Sequence, residues 1–249
     1  MTSYDTWDSY FWPDAPGVLK NKFGIKSYPD LAVAEAHAVA PRMRGIILDD
    51  PSALPETVDL DYYRRVHYRI FQDVYAWAGT TRLVPENAMA KQWRDVVNFA
   101  PDDRSAPWVT YRYPAGRLVD EQATAVFSQL QHALSDSANL APQAFIPTIA
   151  RHWGQLDQVH PFREGNTRSQ TMLMATVCRK YGYALDGVQL LARREEFIGA
   201  RYHGHSTGQY GRLTALLLDT VEPRSTEQVT DQERRWAQSL APPGHGLSL

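Results

Sequence analysis

The 249-residue sequence contains a single cysteine, Cys178, so no disulfide bond can form within the chain. Cys178 lies in an apolar run, where we expect a buried structural thiol rather than a nucleophile. So little cysteine is typical of proteins that work in a reducing compartment.

Long apolar runs are absent as well. No stretch approaches the roughly 18 consecutive apolar residues that a membrane-spanning helix requires. The N-terminal region carries acidic side chains early and basic ones late, the reverse of a secretory signal with a basic start and an apolar centre. The sequence therefore predicts a cytoplasmic protein, with transport by a dedicated secretion system left open.

Neither sign of charge is in excess, since 26 lysines and arginines face 28 aspartates and glutamates, for a net charge of −2. Nucleic acids and anionic membranes are bound by clustered lysines and arginines, which release counterions from the partner. We therefore expect no nucleic-acid partner and no membrane partner.

The pattern of apolar residues predicts a mainly α fold. Apolar side chains recur at three- and four-residue intervals, which places them on one face of a helix. The segment from Thr167 to Lys180 is apolar on nearly every side, which is typical of a helix at the centre of a bundle. The predicted helices cover residues 63–79, 119–134, 145–156, 167–180, 190–203 and 208–221.

A β element is predicted between the first two of these helices. The stretch of residues 80–116 contains the alternating sequence VTYRY and several prolines, which favour a short hairpin or flap. After Pro223 the sequence becomes polar. We therefore divide the chain into a main domain of residues 1–222, with the flap at about 80–116, and a segment 223–249 of one polar helix and a flexible tail that bury little.

The residues 160–168, HPFREGNTR, form a connection of unusual composition between two apolar helices. Pro161 disfavours helical geometry at His160, and Gly165 can adopt the left-handed conformation that other residues avoid. Backbone N–H groups at the start of the following helix bind anions, and Arg168 adds bidentate donors there. The segment therefore predicts a phosphate-binding loop.

Two side chains of the loop suit catalysis. Glu164 lies beside the predicted phosphate site, and Mg²⁺ usually binds through one or two carboxylates together with substrate phosphates. His160 is the only side chain of the loop that exchanges a proton near neutral pH, since its ordinary pKa is about 6.5. A zinc site formed by His152, His160 and His203 or His205 is disfavoured, because no metal-type spacing links them.

The segment HPFREGNTR resembles the signature of the Fic-domain family, which reads His-Pro-Phe, any residue, Asp or Glu, Gly-Asn-Gly-Arg, two residues and a second Arg. The sequences VLKNKFGI near residues 18–25 and IFQDVYAWAG at 70–79 are also similar to the family, and the resemblance covers roughly residues 15–220. It implies a Fic-type helical bundle with a β-hairpin flap. It further implies a nucleotidyltransferase that moves AMP from ATP to a Tyr, Thr or Ser hydroxyl of a target protein, a reaction called AMPylation.

The resemblance also implies a role for each residue of the loop. His160 is implied as the catalytic base, Phe162 as a buried anchor and Glu164 as the Mg²⁺ ligand, with ATP as the substrate. The flap is implied to dock the target protein by strand addition, so we expect a proline at Val109 to spoil that pairing. The residues implied to bind the nucleotide are Gly165, Asn166, Thr167 and Arg168.

Two positions depart from the family pattern. Thr167 stands where the second Gly is usual, and Thr171 stands where the second Arg, which commonly holds the terminal phosphate, is usual. These departures leave two alternatives open: a Doc-like protein phosphotransferase, and a degenerate Fic domain that serves as a binding module. The family's inhibitory motif, Ser or Thr, three residues, Glu, then Gly or Asn, is not found, so a toxin restrained by a separate small antitoxin protein or by another form of control is expected.

Overall fold

A computed structural model of the protein describes residues 4–49, 54–87, 89–100, 103–136, 140–224 and 229–240. Helices dominate these residues, which confirms the predicted mainly α fold. In chain order the helices are α1 (Tyr28–Ile47), α2 (Leu60–Phe71), α3 (Val119–Ser135), α4 (Pro142–Val159), α5 (Asn166–Lys180), α6 (Gly187–Ala192), α7 (Arg194–Thr207), α8 (Gly211–Thr220) and α9 (Asp231–Ser239).

The strands form three small antiparallel pairs. The first pair precedes α1, the second lies between α2 and α3, and the third joins the ends of α5 and α8. The strands are β1 (Phe11–Trp12), β2 (Ala15–Leu19), β3 (Ala90–Arg94), β4 (Trp108–Arg112), β5 (Tyr183–Leu185) and β6 (Val221–Pro223).

Helix α5 lies at the centre of the bundle, where it contacts α1, α2 and α4. Its consecutive residues Met172, Leu173 and Met174 are all buried. Three neighbouring buried residues cannot share one face of a helix, so α5 is enclosed on several sides as predicted. Its amino terminus, where the candidate loop ends, is thereby held rigidly by three other helices.

Helix α1 is absent from the sequence-based prediction. It contains Pro41 in its interior, and a proline inside a helical pattern usually marks a boundary. Leu31, Val39 and Met43 are nevertheless buried, and α1 packs against α2 and α5. Tertiary packing of an apolar face therefore stabilises a helix that local periodicity did not indicate.

Helix α9 corrects the expectation that the polar C-terminal segment buries little. Trp236 and Glu233 of α9 are buried, and α9 contacts α1 and α6. Glu233 forms ion pairs with Arg179 of α5 and with Arg224. The flexible tail predicted beyond α9 lies outside the described residues, and the proposed domain boundary stays a prediction.

The hairpin of β3 and β4 confirms the predicted flap, and its register revises one expectation. The Tyr113 N–H donates to the Met89 carbonyl (2.7 Å). At the other end, the Asp95 N–H donates to the Pro107 carbonyl (2.8 Å). Since such bonded pairs recur every second residue, the Val109 N–H points toward β3. The expectation for Val109 stays a prediction, but a proline there would break the hairpin itself before it affected a docked strand.

A small hydrophobic cluster packs the flap onto α7. Its buried members come from both sides of the hairpin and from the helix: Met89, Val96, Tyr111, Tyr113 and Tyr202. The flap is thus fixed above the end of α4. Among the residues that the structure describes, no helix combines the length and the apolar character that crossing a membrane requires.

Candidate active site

The residues 160–165 connect α4 to α5 through two sharp turns. Helix α4 ends at Val159 because His160 adopts the left-handed conformation, with φ 49° and ψ 63°. The loop ends at Gly165, with φ 78°, where an added Cβ would overlap the ring of Phe71. The His160 side chain and the amino terminus of α5 therefore lie at the two ends of one short loop.

The side chains of Phe162 and Asn166 hold the loop from the inside. Phe162 is fully buried, and its ring centroid lies 4.9 Å from that of Tyr63 and 3.8 Å from that of His67. The Asn166 amide accepts a bond from the Phe162 N–H (2.9 Å) and donates one to the Phe162 carbonyl (2.7 Å). Of the groups of Asn166, the backbone N–H rather than the side chain is therefore suited to an anion.

A buried histidine, His67 of α2, forms hydrogen bonds with the loop and with the segment that follows α2. Its Nε2 donates to the Glu164 carbonyl (3.0 Å), and its Nδ1 accepts from the Gly79 N–H (2.9 Å). Burial lowers the pKa of His67 to about 3, so the ring is neutral at pH 7 and can both donate and accept. His67 thus joins the candidate loop to the chain segment that leads into the flap.

His160 is only 4% exposed and lies beneath the flap. Its ring packs against Tyr113, with 4.5 Å between the centroids, and its Nδ1 lies 3.9 Å from an Asp157 carboxylate oxygen. Burial, followed by the positive charges of Lys91, Arg82 and Arg201, lowers the pKa of His160 well below its ordinary value. At pH 7 the imidazole is therefore neutral and can accept a proton.

Glu164 and Arg168 lie together at the start of α5. Glu164 accepts a bond from the Gly165 N–H (2.8 Å), and its side chain is 43% exposed, so the carboxylate faces solvent. The Arg168 guanidinium lies 3.8 Å from Glu164 and 2.6 Å from Glu35 of α1. Tyr75 donates its hydroxyl to the same Glu35. Arg168 is therefore fixed in place by α1, and a phosphate must share it with a carboxylate.

The two departures from the family pattern lie on one side of α5. The Thr171 hydroxyl donates to the Thr167 carbonyl (2.9 Å), so it is satisfied within the helix. The Thr167 hydroxyl accepts a bond from Arg201 of α7 (3.3 Å). The same guanidinium donates to Asp157 of α4 (3.1 Å). Arg201 thus bridges the two helices that flank the loop.

A cavity of about 560 Å³ opens beside the loop. It is lined by apolar residues of α1 and by the charged side chains of Glu35, Arg163, Glu164 and Arg168. Within the described part of the chain, no three His, Cys, Asp or Glu side chains cluster as a metal cage would require. The donor set at Glu164 is instead one carboxylate near a predicted phosphate site, which suits Mg²⁺ held mainly by phosphates and water.

The structure places the sequence-predicted site residues in this loop and in the first turn of α5, and it adds five residues that the sequence analysis missed. Asp157 lies one helical turn before His160, a spacing that could have indicated it. For the others no sequence signal links the positions, because they lie far from the loop along the chain. The missed residues are Glu35, His67, Arg82, Asp157 and Arg201.

Comparison with known proteins shows what this chain is similar to. A model of the Fic/DOC family matches residues 57–178. A probable protein adenylyltransferase of Sinorhizobium fredii, y4lH, is 28% identical over 178 residues, which are 71% of this chain and 79% of that protein. The protein adenylyltransferase VbhT of Bartonella schoenbuchensis is 29% identical over 205 residues, which are 80% of this chain but 37% of the relative.

Solved structures show the same fold. The BepC protein of Bartonella tribocorum, crystallised with AMPPNP, superposes with a TM-score of 0.69 at 19% identity, covering 90% of this chain and 100% of that one. A Fic domain of a Bartonella quintana effector with bound ADP gives a TM-score of 0.68 at 23% identity, covering 88% and 96% of the two chains.

Proposed function

Because the chain belongs to the Fic/DOC family, we propose that it is a protein adenylyltransferase, which moves AMP from ATP to a hydroxyl group of a target protein. The observation that carries the proposal is the neutral, buried imidazole of His160 in the same loop as the amino terminus of α5. A proton acceptor and an anion site are thereby combined. The names of the relatives, protein adenylyltransferases at 28–29% identity, support the same activity.

In this proposal each group has one task. His160 takes the proton from the target hydroxyl as its oxygen attacks the α-phosphorus of ATP. A new phosphorus–oxygen bond forms, the bond between the α-phosphorus and the bridging oxygen breaks, and pyrophosphate leaves. Backbone N–H groups at Asn166 and Thr167, together with the Arg168 guanidinium, stabilise the charge on the phosphate oxygens. The Gly165 N–H, which donates to Glu164 in this structure, would join them when that carboxylate turns to the ion.

Glu164 would hold Mg²⁺ in this scheme. Its half-exposed carboxylate lies at the amino terminus of α5, where the phosphates are proposed to bind. The ion, when bound, neutralises phosphate charge. The chain contributes this single carboxylate to the ion and leaves the other positions to phosphate oxygens and water.

The replacement Glu164→Ala tests this assignment. We expect the Mg²⁺ concentration that gives half-maximal transfer to rise about tenfold or more, comparable with the loss of one charged contact. Titration of Mg²⁺ in a labelling assay measures the shift. Glu222→Ala, which removes an exposed carboxylate of β6, is the matched control and should leave the titration unchanged. An unaltered Mg²⁺ requirement in Glu164→Ala would remove the metal assignment.

The flap is proposed to dock the target protein. The carbonyl of Arg112, on the outer edge of β4, already accepts a bond from His205 of α7 (2.8 Å). On β3, Ala90, Lys91 and Gln92 are exposed. By the alternation of bonded pairs, the backbone N–H and carbonyl of Gln92 point away from β4. The outer edge of β3 therefore suits the addition of a strand from the target.

We expect Gln92→Pro to abolish labelling of the target while nucleotide binding persists. The proline removes an outward N–H donor and leaves the bonds between β3 and β4 intact. Labelling and a nucleotide titration on the same sample measure the two effects. Gln92→Ala keeps the backbone donor and should label normally. If Gln92→Pro labelled its target at the full rate, the outer edge of β3 would not be the docking edge.

One experiment tests the proposed function together with its two alternatives, phosphate transfer and a binding module without activity. Incubation of the protein with ATP labelled in the α- or the γ-phosphate, in a lysate, distinguishes AMP transfer, phosphate transfer and inactivity. We expect protein labelling from the α-label alone. Labelling from the γ-label would indicate a Doc-like phosphotransferase, and no labelling would indicate a binding module.

We also propose that a separate small antitoxin protein restrains the activity, because the family's inhibitory motif is not found in the sequence.

A further inference from the structure

A buried arginine outside the loop, Arg82, contacts the backbone on both sides of the catalytic histidine. Its side chain is fully buried. The Nε group donates to the His160 carbonyl (2.8 Å), and Nη2 donates to the carbonyls of Val159 (3.2 Å) and Pro114 (2.9 Å). The backbone N–H of Arg82 donates to the Pro161 carbonyl (2.8 Å). Three successive carbonyls, from residue 159 to residue 161, are therefore bound by one residue.

These contacts act where the backbone is least favourable. His160 has φ 49°, and a residue with a Cβ pays a steric cost in this region that the surrounding structure must offset. The carbonyls at the end of α4 have no partner within the helix, and a cation near them interacts favourably with the helix dipole. The guanidinium supplies both the hydrogen bonds and the charge.

We propose that Arg82 is a positioning residue of the transfer reaction, which holds His160 in the left-handed conformation and joins it to the stem of the flap. This inference rests on the proposed function of the loop. Pro114 lies two residues after the end of β4, and Tyr113, which precedes it, packs against the His160 ring. The backbone of the base and the stem of the docking hairpin thus share one guanidinium.

The charge of Arg82 also affects the His160 ring. After burial, the positive charges of Lys91 on β3, Arg82 and Arg201 on α7 lower the His160 pKa. Loss of one of these charges should raise that pKa, so the acidic limb of the activity profile should move to higher pH. Two other titratable groups face the ring, Asp157 of α4 and Tyr113 at the end of the flap. Tyr202 and His205 of α7 contact Tyr113 in turn.

Two replacements separate the hydrogen bonds from the charge. Arg82→Lys keeps the charge but loses the planar fork, so we expect kcat to fall about 100-fold, as for a misplaced catalytic group. The KM for ATP and the acidic limb should change little. Arg82→Gln loses both the charge and the planar fork, so the acidic limb of its pH–activity profile should also move to higher pH. Transfer rates across a pH series, with the melting temperature of each variant, measure these effects.

Arg179 offers a matched control. It is also buried, and it donates to the carbonyls of Ile46 and Ile47 at the end of α1, far from the loop. Arg179→Gln should lower the melting temperature, yet below that temperature kcat and the acidic limb should match the wild type. A merely structural role for Arg82 would give the same result as this control.

Two measurements do not depend on activity. NMR titration of the His160 ring, assigned by its absence in His160→Ala, should show a higher pKa in Arg82→Gln; this result would stand even if the wild type transferred nothing and the proposed function failed. In the unmodified protein, the Arg82 Nε–H signal should be strongly protected from exchange. Wild-type kcat in both Arg82 variants, an unshifted His160 titration or rapid exchange of Nε–H would each overturn the proposal.

Discussion

Replacement of His160 by alanine should abolish AMP transfer while the fold persists. The general base contributes about 10²- to 10⁴-fold to such chemistry, and the loop offers no other side chain that accepts a proton near neutral pH. Because burial and three neighbouring cations hold the imidazole neutral, the wild type should keep its activity below the ordinary imidazole pKa of about 6.5. Labelling with α-labelled ATP, followed over pH, measures both effects.

The fold should survive this replacement because the backbone, rather than the imidazole, carries the contacts that shape the loop. Arg82 and Asn166 bond to main-chain groups that the alanine retains. His152→Ala is the matched control, since His152 is a buried histidine of α4, the helix that precedes His160. It should lose some stability but no transfer activity at a temperature where it is folded. Labelling of the target by His160→Ala would exclude His160 as the base.

Replacement of Glu233 by alanine should cost about 3–5 kcal/mol of the free energy of unfolding, the usual effect of removing one member of a buried ion pair. Glu233 bridges Arg179 of α5 and Arg224, and the side chains of all three are at most 5% exposed. Without the carboxylate, two guanidinium groups lie buried beside each other. Glu233 also closes the capping box at the start of α9 with Thr230, so its loss should release α9 as well. Denaturant unfolding, followed by circular dichroism, measures the change.

Asp231→Ala provides the control on the same helix. The Asp231 side chain is 84% exposed and forms an ion pair with Arg234, and exposed pairs of this kind contribute about 0–1 kcal/mol. Its loss should therefore alter stability little. If Glu233→Ala were no less stable than Asp231→Ala, the buried cluster would not hold α9 to the bundle.

The helices with regular apolar spacing were predictable from the sequence, although the first of them, predicted over residues 63–79, ends at Phe71. Helices α2, α3, α4 and α5 each bury at least one face. A buried helix face requires apolar residues at three- and four-residue intervals, which are visible in the sequence. Helix α1 was not predictable in this way, because its interior proline masks the pattern. The burial of α9 was missed for a different reason. The charged residue types of α9 are ordinarily solvated. The burial of Glu233 is favourable because neighbouring arginines form ion pairs with it.

The sequence by itself determined which chemical groups the candidate loop contains, because His160, Glu164, Gly165 and Arg168 are neighbours along the chain and local backbone rules apply to them. Whether these groups can act was decided by the tertiary structure. His160 is a neutral base because burial and cations from the flap and α7 surround it, and Arg168 is oriented by Glu35 of α1. Desolvation and charge act through space over a few ångströms, so they depend on which distant segments the fold brings together.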